Sequence, residues 1–234
     1  MTSRSRAAGS AVASIFATLL LAACSASGGG AAATSAPSAV ASAAPSASAG
    51  AGNGCPTSQP AALPAGETRT VTINTDKGAI AIEIDADLSP IAAGNFVALA
   101  DCGFYDGVVF HRVVPGFVIQ GGDGEFGRKD AYDPTLVGTG GPGYSIKDEP
   151  VTTDYRRGTV AMARSSGPDT VGSQFFIVLD DAAAQSLALP QYNNYQIVGN
   201  VSAGMDTVDA IAAAADAENP SDPVVMDDVS VTTP

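Results

Sequence analysis

No tryptophan, one histidine and only three cysteines occur in the 234 residues, and basic side chains are few, with 11 Lys and Arg against 24 Asp and Glu. One His and three Cys exclude a His-rich or Cys-rich zinc site. Charge is also scarce at the N-terminal end. Arg4 and Arg6 are the only charged residues before Glu67, which leaves 9 basic and 24 acidic side chains, a formal charge of −15, beyond position 66. Such a domain repels phosphate backbones, so a nucleic-acid binder is excluded. Outside the extreme N-terminus no apolar run approaches the ~20 residues that a membrane-spanning helix needs.

Met1–Arg6 carries both of those arginines, and Ala7–Ala23 runs uncharged through Val12, Ile15, Phe16 and Leu19-Leu20-Leu21. A basic start, a short apolar stretch and small residues after it describe a secretory signal peptide over residues 1–23. Leu21-Ala22-Ala23-Cys24 resembles a bacterial lipobox, after which the cysteine thiol is diacylglycerated and becomes the first mature residue. The alternative is an ordinary signal peptide with a chance cysteine beyond its cleavage site. Acyl chains contribute about 0.8 kcal/mol per buried CH₂, so lipid on Cys24 would hold the protein on a membrane surface. The expected location is extracytoplasmic, anchored to the cell membrane through lipid alone.

Between Ser25 and Leu63, 32 of 39 residues are Ala, Ser, Gly or Pro, and none is charged. Large side chains are too few to offset the entropy of ordering. Gly28-Gly29-Gly30, Pro37 and Pro45 interrupt any long Ala-rich helix. Residues 24–65 therefore read as a lipidated cysteine and a disordered tether, with a reach of roughly 30–40 Å. Residues 66–234 remain as one domain, ample for a buried core.

Within that domain Val71 and Ile73, then Ile80, Ile82 and Ile84, alternate with small or polar residues around Asp76-Lys77-Gly78, the pattern of a β-hairpin. Ser89-Pro90 has the form of an N-cap with proline at the first helical position, and Ile91, Asn95, Phe96 and Leu99 carry helical spacing to Gly103. Val108–Val113 and Phe117–Gln120 read as a strand pair around Pro115-Gly116. Further strands are expected at Thr159–Met162, Gln174–Leu179, Tyr195–Val201 and near Val224–Val231, with a second helix at Met205–Ala215. Many short strands with two helices argue for a mainly β, closed antiparallel barrel capped by those helices.

Three segments stand out chemically. Phe110-His111-Arg112-Val113-Val114-Pro115-Gly116-Phe117-Val118-Ile119-Gln120-Gly121-Gly122-Asp123 sets Arg112 and Gln120 at even spacing. Gly172-Ser173-Gln174-Phe175-Phe176-Ile177 puts Gln174 and Phe176 on one strand face, and Asn95-Phe96-Val97-Ala98-Leu99 lies on the first helix. These segments resemble the cyclophilin family of peptidyl-prolyl cis–trans isomerases. The likeness runs through Thr70–Val231 and takes in Gly138-Thr139-Gly140-Gly141, Met162-Ala163 and Ile197-Val198-Gly199.

The resemblance implies an eight-stranded barrel and assigns roles by position. Arg112 matches the family's catalytic arginine, and Phe117, Val118 and Phe176 match walls of its proline pocket. His111, Gln120, Gln174, Ala163 and Arg164 fall where the family lines the adjoining groove, and Tyr195 where it often has His or Tyr. Two departures are visible. The Trp that well-known human members place at the pocket edge is missing; Ala184–Asn194 is longer, and Leu189 is the candidate for that wall. Arg164-Ser165-Ser166-Gly167 also carries one residue more than those members have. An aliphatic wall still suits a proline ring.

The reaction so implied breaks no bond. Its barrier of roughly 18–20 kcal/mol comes from delocalisation of the amide nitrogen lone pair into the carbonyl. Halfway through rotation the prolyl nitrogen regains that lone pair, and a donor aimed at it stabilises the twisted state above the planar one. A guanidinium stays protonated at any working pH. No nucleophile, metal or cofactor is required.

Rival readings are weaker. His111 invites a general-base role, yet no Gly-x-Ser-x-Gly elbow exists and the reaction needs no base, so a structural or groove role is preferred. Gly121–Gly127 lacks the Gly-Lys-Ser/Thr ending of a phosphate loop. Asp123, Glu125, Asp130 and Asp133 lack EF-hand spacing for Ca²⁺. With Cys24 lipidated, Cys55 and Cys102 form an even pair in an exported protein and are expected to bridge, closing a loop of about 48 residues; two free thiols are the alternative. The expected partners are flexible Pro-containing polypeptides, the expected state a monomer. A non-catalytic module that binds Pro-containing segments is the alternative function, and Arg112 is the feature such a module could dispense with.

Overall fold

The computed structural model describes residues 54–234. The proposed signal peptide, Cys24 and the tether up to residue 53 lie outside the described residues.

Thr68–Thr75 (β1) and Gly78–Asp85 (β2) form the expected hairpin, paired from Thr68↔Asp85 to Thr75↔Gly78. Val71, Ile73, Ile80, Ile82 and Ile84 all point into the core. Pro90–Asp101 (α1) follows, but Ser89 does not cap it: the Ser89 hydroxyl is buried without a partner among the described residues. Instead the Glu149 carboxylate accepts from the N–H groups of Ile91 and Ala92 at 2.8 and 2.9 Å. A carboxylate satisfies two donors at once and complements the positive end of the helix, which one hydroxyl cannot match.

Arg112–Val114 (β3), Val118–Gly121 (β4), Thr159–Met162 (β5), Phe175–Val178 (β6), Ile197–Ala203 (β7) and Asp228–Thr232 (β8) complete one antiparallel sheet of eight strands in the order β3-β4-β6-β5-β7-β2-β1-β8. The sheet curls into a half-barrel. Its edge strands β3 and β8 do not pair, so the expected ladder closure is replaced by a short seam. There Val109 bridges Val225, with Phe110 N–H donating to the Val224 carbonyl at 2.9 Å and Met226 N–H to that of Val108 at 2.8 Å. Asp181–Leu187 (α2) adds a helix to the two expected, the other being Met205–Ala214 (α3). Asp180 caps α2 by accepting from Ala183 N–H at 2.7 Å.

Strands β5 and β6 are buried on both faces. One face, with Val160, Met162, Phe175 and Ile177, enters the main core, where Phe96 meets Phe175 edge-on at 5.1 Å. The other, with Ala161, Phe176 and Val178, packs beneath α2 against Ala183, Ala184 and Leu187 in a second, smaller apolar cluster. Continuous apolar strands are what two-sided burial demands. That second cluster is the floor of the site.

The domain begins earlier than residue 66. Leu63 is buried in the main core and its N–H donates to the Pro90 carbonyl at 2.9 Å, while Gln59 accepts from Lys147 N–H at 2.9 Å. A side chain at Gly94 would collide with Ala61–Leu63, so α1 offers a flat seat for this segment. Cys55 and Cys102 are disulfide-bonded across a separation of 47 residues, fixing the segment to the end of α1. The reading of residues 54–65 as tether is thus corrected: composition resembles a tether, but one leucine and one disulfide hold them to the domain.

Candidate active site

Register brings the site together. Arg112 lies opposite Gln120 across β3–β4, Gln120 opposite Phe176 across β4–β6, and Phe176 opposite Ala161 across β6–β5. Directly opposed residues share a face, so these four side chains stand in one row across the sheet. The tight turn between β3 and β4 rests on Gly116, whose φ of +68° a residue with a side chain would resist. Phe117 follows it into the site.

At the end of this row opens a pocket of about 120 Å³. Phe117, Val118 and Phe176 form its apolar walls with Leu187 of α2, while Arg112, Gln120, Ala163, Arg164 and Tyr195 complete the rim. Phe176 meets the Tyr195 ring edge-on at 5.3 Å. Beside it lies a larger, glycine-lined groove of about 320 Å³ running under Gly138–Gly143, with Gln120, Ala163 and Arg164 lining both cavities and Gln174 the groove.

A chain of polar contacts crosses the rim. Arg112 Nε donates to Glu218 Oε1 at 2.8 Å and Arg112 Nη1 to Gln120 Oε1 at 3.4 Å. Gln120 Nε2 then donates to Gln174 Oε1 at 3.0 Å, and Gln174 Nε2 to the Gly140 carbonyl at 2.8 Å. Each amide is fixed in one orientation by its neighbours. Arg164 pairs with Asp148 at 3.0 Å and also donates to the carbonyls of Gly167 and Asn194, which pins the loop carrying the extra residue.

Two of the expected residues are placed differently. Leu189 is 46 % exposed and outside the pocket, whereas Leu187, 4 % exposed, supplies the wall. The physical reason is α2: Ala183, Ala184 and Leu187 fall on its buried face, and the chain turns away after it. Leu187→Ala should raise KM for an X–Pro peptide about 3- to 10-fold, the range expected for losing part of one buried leucine contact, with Leu189→Ala within about twofold of wild type. Steady-state kinetics on both variants checks this.

His111 is the other. It is buried behind Gly138, lines neither cavity, and neither ring nitrogen has a partner among the described residues. Burial lowers its pKa from 6.5 to about 4, an effect opposed by Asp123 and reinforced by Arg112. The unfolded chain therefore takes up a proton near pH 6.5 that the folded chain refuses until about pH 4. Stability should be unaffected by this group above pH 6.5 and fall through that window, by up to about 3 kcal/mol. Urea denaturation at pH 7 and pH 4.5 should show a smaller drop for His111→Gln than for wild type; equal drops would remove the assignment.

Two supporting residues escaped the sequence reading. Tyr155 holds Tyr195 from both sides, its hydroxyl donating to the Tyr195 carbonyl at 2.9 Å and accepting from the Tyr195 N–H at 3.1 Å. Asp123 is fully buried and accepts four backbone N–H groups: Glu125 and Phe126 on Oδ1 at 3.0 and 2.9 Å, Gly138 and Gly140 on Oδ2 at 2.7 and 3.0 Å. It fastens together the two glycine-rich loops that bound the groove. Conflicting demands of this kind leave no local pattern, since Asp123 and Gly140 are 17 residues apart.

Comparison with known proteins decides the family. Residues 70–231 match the model of cyclophilin type peptidyl-prolyl cis-trans isomerases. The chain belongs to the cyclophilin family. A probable peptidyl-prolyl cis-trans isomerase of Brucella abortus (strain 2308) is 43% identical over 153 residues, 64% of this chain and 74% of that protein. Peptidyl-prolyl cis-trans isomerase A of Mycobacterium tuberculosis is 36% identical over 187 residues, 70% of this chain and 93% of that protein. The crystal structure of a cyclophilin type isomerase of Cryptosporidium parvum superposes with a TM-score of 0.58 at 32% identity, covering 71% of this chain and 99% of that one. The half-barrel is thus the cyclophilin fold, and the activity is peptidyl-prolyl cis–trans isomerisation.

Proposed function

We propose that this cyclophilin acts on X–Pro bonds of newly exported proteins, held at the outer face of the cell membrane by lipid on Cys24. The observation that carries the chemistry is the position of Arg112, at the rim of an apolar pocket with its Nε and one Nη1 hydrogen already engaged. Its remaining donors are available to a prolyl nitrogen seated over Phe176. Phe117, Val118, Phe176 and Leu187 take the pyrrolidine ring by apolar burial. As the bond twists, the nitrogen lone pair re-forms beside the guanidinium, which stabilises the twisted state more than either planar one. Gln120, oriented by Gln174, offers an amide to the rotating carbonyl. The Cryptosporidium relative has been crystallised in the presence of the dipeptide Ala-Pro, which supports reading this pocket as a seat for proline. A guanidinium stays protonated at any working pH, so turnover should be flat across pH 6.5–8.

Location rests on the sequence of residues 1–65 and is tested separately from turnover. Expressed in a bacterium, the full chain should sediment with membranes and incorporate labelled fatty acid, whereas Cys24→Ser should be released unlabelled. Wild-type domain should also shorten the proline-limited phase of refolding of an exported protein, a step that takes tens of seconds unaided. Unchanged sedimentation for Cys24→Ser, or a refolding phase indifferent to the domain, would contradict the respective part.

A further inference from the structure

The geometry assigns to Glu218 the task of aiming Arg112, an inference that rests on reading Arg112 as the donor. Glu218 lies 106 residues from Arg112, in the loop between α3 and β8. Three observations show that this loop is built to present it. Its backbone is tied to the strand that carries the arginine, since Val113 N–H donates to the Glu218 carbonyl at 2.7 Å. The loop is closed on itself by Asp216, which accepts from Ser221 N–H at 2.9 Å and from the Ser221 hydroxyl at 2.6 Å. Pro220 is buried beneath it. The side chain then reaches Arg112 Nε at 2.8 Å.

Which nitrogen is held matters more than the charge. A free arginine at a half-exposed position samples many rotamers, and immobilising so long a side chain costs conformational freedom. With Nε fixed by Glu218 and Nη1 by Gln120, the guanidinium plane is defined by two anchors on opposite edges. Those two anchors leave Nη2 for the substrate, on a side chain that lines the pocket. An exposed ion pair adds little to stability on its own. Its contribution here is orientation, so the effect belongs in kcat and not in folding.

The test is a double-mutant cycle on the full domain with an Ala-Pro peptide, reading kcat and KM separately. Glu218→Ala should lower kcat about 5- to 20-fold, with KM within about twofold and an unchanged melting temperature. Glu218→Gln keeps an oxygen for Nε and should recover to within about threefold of wild type. In an Arg112→Ala background Glu218→Ala should have no further effect. Glu218→Ala matching wild type while Arg112→Ala is crippled would overturn the positioning role and leave the donor reading standing. A loss that persists undiminished in the Arg112→Ala background would overturn it too, since the effect would not pass through the arginine. Full activity of Arg112→Ala itself would remove the donor reading and this inference together.

Discussion

Arg112→Ala should lower kcat/KM for an Ala-Pro peptide about 10²–10³-fold, equivalent to about 3–4 kcal/mol of transition-state stabilisation. The loss should sit in kcat, because the pocket that binds the ring is made by Phe117, Val118, Phe176 and Leu187 and survives the change. Arg112→Lys tests geometry against charge. A lysine keeps the positive charge but has no Nε for Glu218 and no planar fork to span Gln120 and the nitrogen, so it should recover little. A protease-coupled assay measures both. An alanine variant within about threefold of wild type would mean that desolvation in the pocket, not donation, lowers the barrier.

Asp123→Ala should be the most damaging single change to stability outside the apolar core, about 3–5 kcal/mol. Four backbone N–H groups lose their acceptor at once, in a place closed to water. Each unsatisfied buried donor costs about 1–3 kcal/mol, and partial relaxation of the glycine loops keeps the total below the simple sum. Asp123→Asn should rescue poorly, because its amide N–H₂ would face two donors in place of an acceptor. Urea denaturation gives the number, and a loss under about 1 kcal/mol would show that the loops find other partners. Activity of the folded fraction should fall as well, since Gly140 both depends on Asp123 and anchors Gln174.

Local periodicity made the frame legible. Alternation in Val71–Ile84 fixes the hairpin and its buried face, and even spacing put Arg112 and Gln120 on one side of a strand pair. The pocket walls Phe117, Val118 and Phe176 were reached through resemblance; alone, two phenylalanines in strands are core. The Leu187 wall has only a weak local signal. Ala183, Ala184 and Leu187 recur at helical spacing behind Asp180, a signal obscured because an alanine-rich stretch of seven residues carries little amphipathic contrast. Other features left no local trace. Glu149 capping α1, Glu218 on Arg112 and Tyr155 around Tyr195 join residues 57, 106 and 40 positions apart, and only the tertiary fold brings such pairs together. The start of the domain is hidden for a related reason: composition describes an average, while Leu63 and Cys55 act as individuals.

Magnetisation-exchange NMR on an unstructured Ala-Pro peptide addresses the central claim, that Arg112 over an apolar pocket speeds rotation of the bound amide. Catalytic amounts of wild-type domain should produce cis–trans exchange cross-peaks absent from peptide alone. Arg112→Ala should shift the same peptide resonances, showing that it still binds, while the cross-peaks vanish. Exchange of equal strength with both proteins, or binding by wild type without any exchange, would contradict the account.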